Sequence, residues 1–302
     1  MKRGDDTDEL LILAFDHRGS FMEKLFGIKG REPTAEEINE ISRYKRMVYD
    51  GYVKATQLLG KRGTGILMDE QFASAVARDA AKNGFVFAMP VEKSGQDEFD
   101  FEYADWKMHI ERFSPTFVKV LVRFNPEDDI SANARQMKRL KELNDYLHHA
   151  ERKFLFELLV PATERQLASA GNKETFDIEI RPKLMVSAMA TLQEHGIEPD
   201  IWKLEGVDAE EDARALVSQA RADGRHAGVV TLGRGESTTK VVEWLKVGAK
   251  ISGIIGFAVG RTIFMDALKA CRSGAMTENE AVSLIAKNYG DFVRLWRAEK
   301  NG

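Results

Sequence analysis

The amino-acid sequence predicts an α/β fold, a single (β/α)₈ TIM barrel with one additional C-terminal helix, on three observations. Eight short apolar runs recur along the chain, longer segments with helical periodicity separate them, and most runs are apolar at nearly every position. The last property fits strands buried on both faces, as in a parallel sheet wrapped by crossover helices.

The eight strand candidates are Leu11 to Phe15, Gly65 to Met68, Phe85 to Met89, Phe117 to Val122, Phe154 to Val160, Ile201 to Leu204, Ala227 to Leu232 and Gly253 to Phe257. Helices are predicted between them over Ala35 to Leu59, Ala73 to Asn83, Ala132 to Glu151, Lys183 to His195, Ala209 to Asp223, Ser237 to Val247 and Arg261 to Ser273. Thr34 precedes Glu37 at capping-box spacing, and Gly84 and Gly196 stand just past helix ends, where a left-handed residue is wanted. The third crossover is the thinnest, with one modest helix over Tyr103 to Phe113, and a final helix over Glu278 to Glu299 follows the last unit. An eight-fold count in 302 residues suits a closed barrel better than an open doubly wound sheet.

A chain of this length buries roughly three quarters of its unfolded surface, and no Pro/Gly/Ser-rich linker divides it, so residues 1–302 read as one domain. The only loop-like stretches, such as Glu92 to Asp100 and Gly171 to Asp177, are short. The 44 basic and 48 acidic residues give a net charge of −4 and are mixed along the chain, which argues against nucleic-acid and membrane partners. Met1 to Glu9 is charged and has no apolar core of a leader, and no apolar run approaches a membrane span, so a cytoplasmic location is expected. The lone Cys271 excludes an intramolecular disulfide and reads as packing at a helix end.

Barrel topology places chemistry at the carboxyl ends of the strands, and there the sequence puts ionisable residues. Asp16 ends the first strand in LAFDHRGS, Asp69 and Glu70 end the second in GILMDEQFA, Lys119 and Arg123 lie in VKVLVRF, Glu157 in FLFELLVP, and Lys203 and Glu205 in IWKLEGVD. A charge within an apolar strand costs several kcal/mol unless paired, so Lys119, Glu157 and Lys203 need a reason to be there. For any one of them a structural ion pair suffices. Three on neighbouring strands form a device: an ammonium beside another in a desolvated pocket is pushed towards the neutral amine that attacks a ketone. Lys203 is the expected nucleophile, with Glu157 moving protons and Lys119 supplying the depressing charge and holding a substrate oxygen.

TLGRGES and GFAVGRTIF each place a Gly-Arg pair shortly before a helix, so Gly233, Arg234, Gly260 and Arg261 are the expected phosphate site. His17 and Arg18 read as surface loop residues; alternatively Arg18 or Arg123 meets a substrate anion distal to the phosphate. His109, His148, His149, His195 and His226 lie on or near predicted helices without metal-ligand spacing. No metal or other cofactor is expected. The expected partner is a small phosphorylated ketose or keto-acid, and a homo-oligomer is compatible with the sequence.

Taken in order, LAFDHRGSF, GILMDEQFA, VKVLVRFNP, FLFELLVP, IWKLEGVD and GFAVGRTIF resemble the class I aldolases related to tagatose-1,6-bisphosphate aldolase. The resemblance is greatest to the DUF2090-type 2-deoxy-5-keto-gluconate-6-phosphate aldolase domain of fused 5-dehydro-2-deoxygluconokinases. It implies a (β/α)₈ fold and a metal-independent lyase acting on a phosphorylated ketose or keto-acid. It implies that Lys203 is the Schiff-base lysine, Glu157 the acid/base, Asp16 and Lys119 substrate contacts and Arg261 the phosphate arginine; Asp69, from its place at the end of the second strand, is a further substrate-binding candidate. TLGRGES departs from the serine- and glycine-rich loop of the tagatose enzymes, which bears on their substrate, and any kinase partner is expected to be absent or separate. The implied reaction is cleavage of 2-deoxy-5-keto-gluconate 6-phosphate. Tagatose-bisphosphate or sulfofructose-phosphate cleavage, a metal-dependent enzyme using Asp16, Asp69, Glu157 and Glu205, and a non-catalytic sugar-phosphate-binding barrel stay open.

Overall fold

A computed structural model describes residues 9–302, so Met1 to Glu9 of the sequence reading falls outside the described residues except for Glu9. The eight predicted strands are present as β1 (Leu10–Ala14), β2 (Thr64–Leu67), β3 (Val86–Pro90), β4 (Phe117–Arg123), β5 (Lys153–Leu159), β6 (Ile201–Glu205), β7 (Gly228–Leu232) and β8 (Ile254–Val259). All pair in parallel, each with the next, and β1 also pairs with β8 to close the barrel.

The crossover helices are α1 (Ala35–Leu59), α2 (Glu70–Lys82), α3 (Trp106–Phe113), α4 (Ile130–His149), α5 (Arg181–Glu194), α6 (Glu210–Ala220), α7 (Thr238–Ala249) and α8 (Arg261–Arg272), followed by α9 (Glu278–Asn301). Thr34 and Glu37 form the predicted capping box at the start of α1. Gly84 and Gly196 take φ of 65° and 72°, the left-handed conformation their positions suggested. The α9 helix packs on α1 where Gly51 has no side chain, since a Cβ there would lie 2.6 Å from Ile285 Cγ2. Tyr289 of the same helix donates its hydroxyl to the Leu11 carbonyl at 2.7 Å, tying α9 to β1.

Two segments are more helical than the sequence suggested. Gly19–Phe26 forms short helical turns anchored by the buried Phe21, and Glu164–Ala170 and Lys173–Ile180 do the same beyond β5. Their caps are local: Thr163 accepts from Gln166 N, Asn172 accepts from Thr175 N, and Phe176 is buried. In the third crossover α3 begins at Trp106, because residues 91–102 fold back on themselves through the Glu92 to Phe101 bridge.

Side chains alternate across each strand. Leu11 and Leu13 of β1 face the helices, while Leu10, Ile12, Ala14, Phe117, Leu155 and Ile201 fill the lower barrel interior. One pleat further along, the same inward rows change character. Phe117 is followed by Lys119, Leu155 by Glu157, Ile201 by Lys203 and Ala14 by Asp16. The barrel is therefore plugged with apolar side chains at its amino end and lined with charge at its carboxyl end.

Candidate active site

β5 and β6 are in register at Glu157 and Lys203, and Lys203 Nζ lies 2.9 Å from Glu157 Oε2. Lys119, on β4, reaches the same oxygen at 2.9 Å, and its ammonium also donates to Asp16 Oδ2 at 2.9 Å and to Glu92 Oε1 at 2.7 Å. Lys119, Glu157, Lys203 and Glu92 are between 1% and 7% exposed, so these contacts form away from bulk water. The two ammonium groups do not face each other bare, because Glu157 stands between them.

Burial disfavours the charged form of every member, and the outcome depends on the partners. The Asp16 and Glu157 carboxyls would rise on burial alone, but Lys119 and then Lys203 hold both below the ordinary carboxylate range. Burial would likewise lower Lys119, but Asp16, Glu157 and Glu92 overrule it and keep the ammonium charged. Glu92 goes the other way: burial raises its carboxyl despite Lys119 and Arg18. Its second oxygen, Oε2, is buried without a hydrogen-bond partner.

Sequence reasoning missed Glu92 because it follows β3 inside a polar stretch, PVEKSGQDEFD, where one more charge is unremarked. It also missed Lys45. That lysine lies on α1, is fully buried, donates to the carbonyls of Phe15 and His17 at 2.9 Å each, and forms an ion pair with Asp69. Burial lowers its pKa, with Asp69 opposing. Lys45 thereby clamps the end of β1, and so Asp16, to the end of β2.

On the opposite rim, the β7 and β8 loops meet β1. A Cβ at Gly260 would fall 2.1 Å from the Ala14 carbonyl oxygen, so glycine alone lets the β8 loop pass this close. Arg261 begins α8, and its guanidinium lies over Gly235, where an added Cβ would sit 2.3 Å from Nη2. Among the described residues Arg261 makes no hydrogen bond or ion pair; burial lowers its pKa, and Asp16 and Glu157 act on it from a distance. His17 lies beside it, with its ring edge-on to Phe264 and its buried Nδ1 4.0 Å from Asp16 Oδ1 and without a hydrogen bond. Burial drives the His17 pKa down to about 4 against the pull of Asp16, with Arg261 adding to the drop. Gly233, in the same rim, packs on Val241.

The remaining predicted residues are engaged elsewhere. Arg234 pairs with Glu205 and Asp177 at 2.8 Å each, and Glu205 also accepts from Val160 N at 3.2 Å, so both lie outside the central cluster. Asp69 is fully buried, accepting from Lys45 and from Phe72 N at the start of α2. Arg18 donates to Glu102 at 2.7 Å and to the Glu92 carbonyl at 2.6 Å, and Arg123 donates to the Gln96 carbonyl at 2.5 Å. These two arginines pin the β3 loop over Lys119. His109 is held between Glu70 and a stacked Tyr103, while His148 and His195 contact carbonyls of their own helices. Cys271 packs half-buried against the core. Among the described residues no helix is long and apolar enough to cross a membrane.

A family model described as "Uncharacterized protein conserved in bacteria (DUF2090)" matches residues 1–300. No curated protein matches the chain in sequence. Solved structures match its fold. A Schiff-base-forming fructose-1,6-bisphosphate aldolase superposes with a TM-score of 0.57 at 12% identity, covering 95% of this chain and 94% of that one. Fructose-bisphosphate aldolase from Plasmodium falciparum, solved with TRAP and a small-molecule inhibitor, gives 0.64 at 14% identity, covering 96% and 91%. The protein Cgl0159 from Corynebacterium glutamicum gives 0.59 at 16% identity, covering 95% and 87%. At these identities the likeness is one of fold.

Proposed function

The chain belongs to the DUF2090 family, and we propose that it is a Schiff-base (class I) aldolase cleaving a phosphorylated keto-sugar acid. The leading substrate is 2-deoxy-5-keto-gluconate 6-phosphate, giving dihydroxyacetone phosphate and malonate semialdehyde. The observation that carries this reading is the buried Lys203 at the carboxyl end of β6, with Glu157 Oε2 2.9 Å from its amine. The fructose-bisphosphate aldolases among the fold neighbours, one described as Schiff-base-forming, lend support of the same kind.

The chemistry follows from that pair. A proton passing from Lys203 Nζ to Glu157 leaves a neutral amine, which attacks the C5 ketone, and a neutral acid, which protonates the carbinolamine hydroxyl so that water leaves. The resulting iminium is the electron sink. A carboxylate, again Glu157, takes the proton of the C3 hydroxyl, the C3–C4 bond breaks, and its electron pair flows to an enamine while the aldehyde half departs. Protonation of the enamine at C4 and hydrolysis of the imine release the three-carbon phosphate and restore Lys203. Lys119, held charged chiefly by Asp16 and Glu157, supplies fixed positive potential where oxygen charge develops. Arg261, with its guanidinium uncommitted over the Gly235 backbone, and the start of α8 receive the phosphate.

The test is cleavage of a panel of phosphorylated ketoses and keto-acids by the purified protein, with dihydroxyacetone phosphate as the product detected. Turnover of 2-deoxy-5-keto-gluconate 6-phosphate is expected. Turnover of tagatose 1,6-bisphosphate or sulfofructose phosphate instead would keep the mechanism and replace the substrate, and cleavage of none would overturn the proposal.

A further inference from the structure

Three carboxyl groups converge on Lys119: Glu157, which moves the protons in the chemistry proposed above, Asp16, which the resemblance assigns to substrate contact, and one with no assigned part. The third, Glu92, is 5% exposed and is held at Oε1 and through its backbone. Its Oε1 accepts from Lys119 at 2.7 Å, and its backbone carbonyl accepts from Arg18 at 2.6 Å. The strand-like bridge to Phe101 and the bond from Val91 N to the Lys119 carbonyl at 3.0 Å fix the chain around it. The side chain therefore has little freedom to turn Oε2 elsewhere, and that atom is buried with no partner. A buried polar atom is costly to leave unpaired, so an oxygen fixed like this beside Lys119 calls for a partner supplied from outside the fold.

We propose that Glu92 contacts bound substrate through Oε2, as a carboxylic acid that donates a hydrogen bond to an acceptor oxygen on the half released as aldehyde. This rests on the aldolase reading. Charge balance selects the acid form. Three cations, Lys119, Lys203 and Arg18, face four carboxyl groups, Asp16, Glu92, Glu157 and Glu102, and a proton passing from Lys203 to Glu157 leaves that count unchanged, so a desolvated site with all four ionised carries one negative charge too many. Glu157 is bracketed by two lysines and Asp16 is held low by the same pair, whereas burial raises Glu92. The spare proton therefore belongs on Glu92, and with Oε1 accepting from Lys119 it sits on Oε2. Gln96 Nε2, in the same loop, is also buried without a partner and is likewise a donor. A loop offering two unfilled donors suits an acceptor-rich group, a carbonyl or carboxylate, and does not suit an ammonium or a metal.

The experiment compares wild type, Glu92→Gln and Glu92→Leu in two assays. One is borohydride trapping of dihydroxyacetone phosphate, which lacks the aldehyde half. The other is condensation of that phosphate with malonate semialdehyde, glyceraldehyde 3-phosphate and sulfolactaldehyde. Infrared spectra of wild type minus Glu92→Gln at neutral pH read the protonation state without any substrate. The expected results are a protonated-carboxyl band in the infrared difference and a loss in condensation kcat/KM of about 10–10²-fold for Glu92→Leu, from one missing hydrogen bond to a charged or polarised oxygen. Trapping should fall far less than condensation. Glu92→Gln, which keeps the shape and an N–H donor, should lose roughly tenfold less than Glu92→Leu. Absence of the infrared band, equal damage in the two variants, or no loss in Glu92→Leu would each overturn the inference while leaving wild-type trapping intact. Failure of wild type to trap the phosphate at all would bring down the aldolase reading and this inference with it.

Discussion

Glu157 stands in register with Lys203 across β5 and β6, and the oxygen that lies 2.9 Å from the Lys203 amine lies at the same distance from Lys119. One carboxylate oxygen thus links a lysine proposed to react and a lysine held charged. Glu157→Gln keeps the shape but cannot accept the Lys203 proton or the substrate hydroxyl proton. Turnover is expected to fall by about 10²–10⁴-fold, with phosphate affinity retained. Steady-state kinetics and phosphate inhibition measured together check this.

Arg261 should govern affinity more than chemistry. Its guanidinium lies over Gly235 at the head of α8, with no hydrogen bond or ion pair among the described residues. Loss of a charge-assisted, bidentate contact of roughly 1.5–3 kcal/mol in Arg261→Ala is expected to raise KM about 10²-fold with a smaller change in kcat. An unchanged KM would place the phosphate elsewhere.

Lys45 is a structural prediction. Removing its ammonium in Lys45→Met leaves the buried Asp69 without its cation, with only the bond from Phe72 N, and frees the carbonyls of Phe15 and His17. A loss of about 3–5 kcal/mol is expected in urea unfolding. The double variant with Asp69→Asn should recover part of it, because the stranded charge is gone. Near-wild-type stability of Lys45→Met would contradict the clamp.

How much of this was legible depended on contrast. Lys119, Glu157 and Lys203 stood out because each interrupts an apolar strand, and the fold then brought all three together. The strands themselves were visible for the same reason, being apolar on both faces. Glu92 and Lys45 were invisible because each sits among other charges, one in a loop and one on an amphipathic helix, and only packing buries them. The rim arginines show the converse. Arg18, Arg123 and Arg234 were read as candidate anion binders, but their partners, Glu102, Gln96, Asp177 and Glu205, come from distant parts of the chain. Pairing across such separations leaves no local pattern.

His17 gives the stability a pH signature. Its pKa falls from 6.5 to about 4 in the fold, so between those values the unfolded chain binds the proton and the folded chain does not. Stability is therefore expected to rise with pH across that window and to be lost progressively as pH falls through it. His17→Gln should flatten this slope between pH 4 and 6.5 in urea titrations. An unchanged slope would assign the dependence to other groups.

The most direct measurement is the mass and position of a borohydride-reduced adduct after incubation with dihydroxyacetone phosphate or the keto-sugar acid. Peptide mapping is expected to place one reduced adduct on Lys203, and Lys203→Met should abolish both adduct and turnover. Lys119, held as an ammonium chiefly by Asp16 and Glu157, should remain unmodified. An adduct on Lys119 would contradict the assignment of the nucleophile, and no adduct on any lysine with any phosphorylated ketone would contradict the Schiff-base mechanism itself.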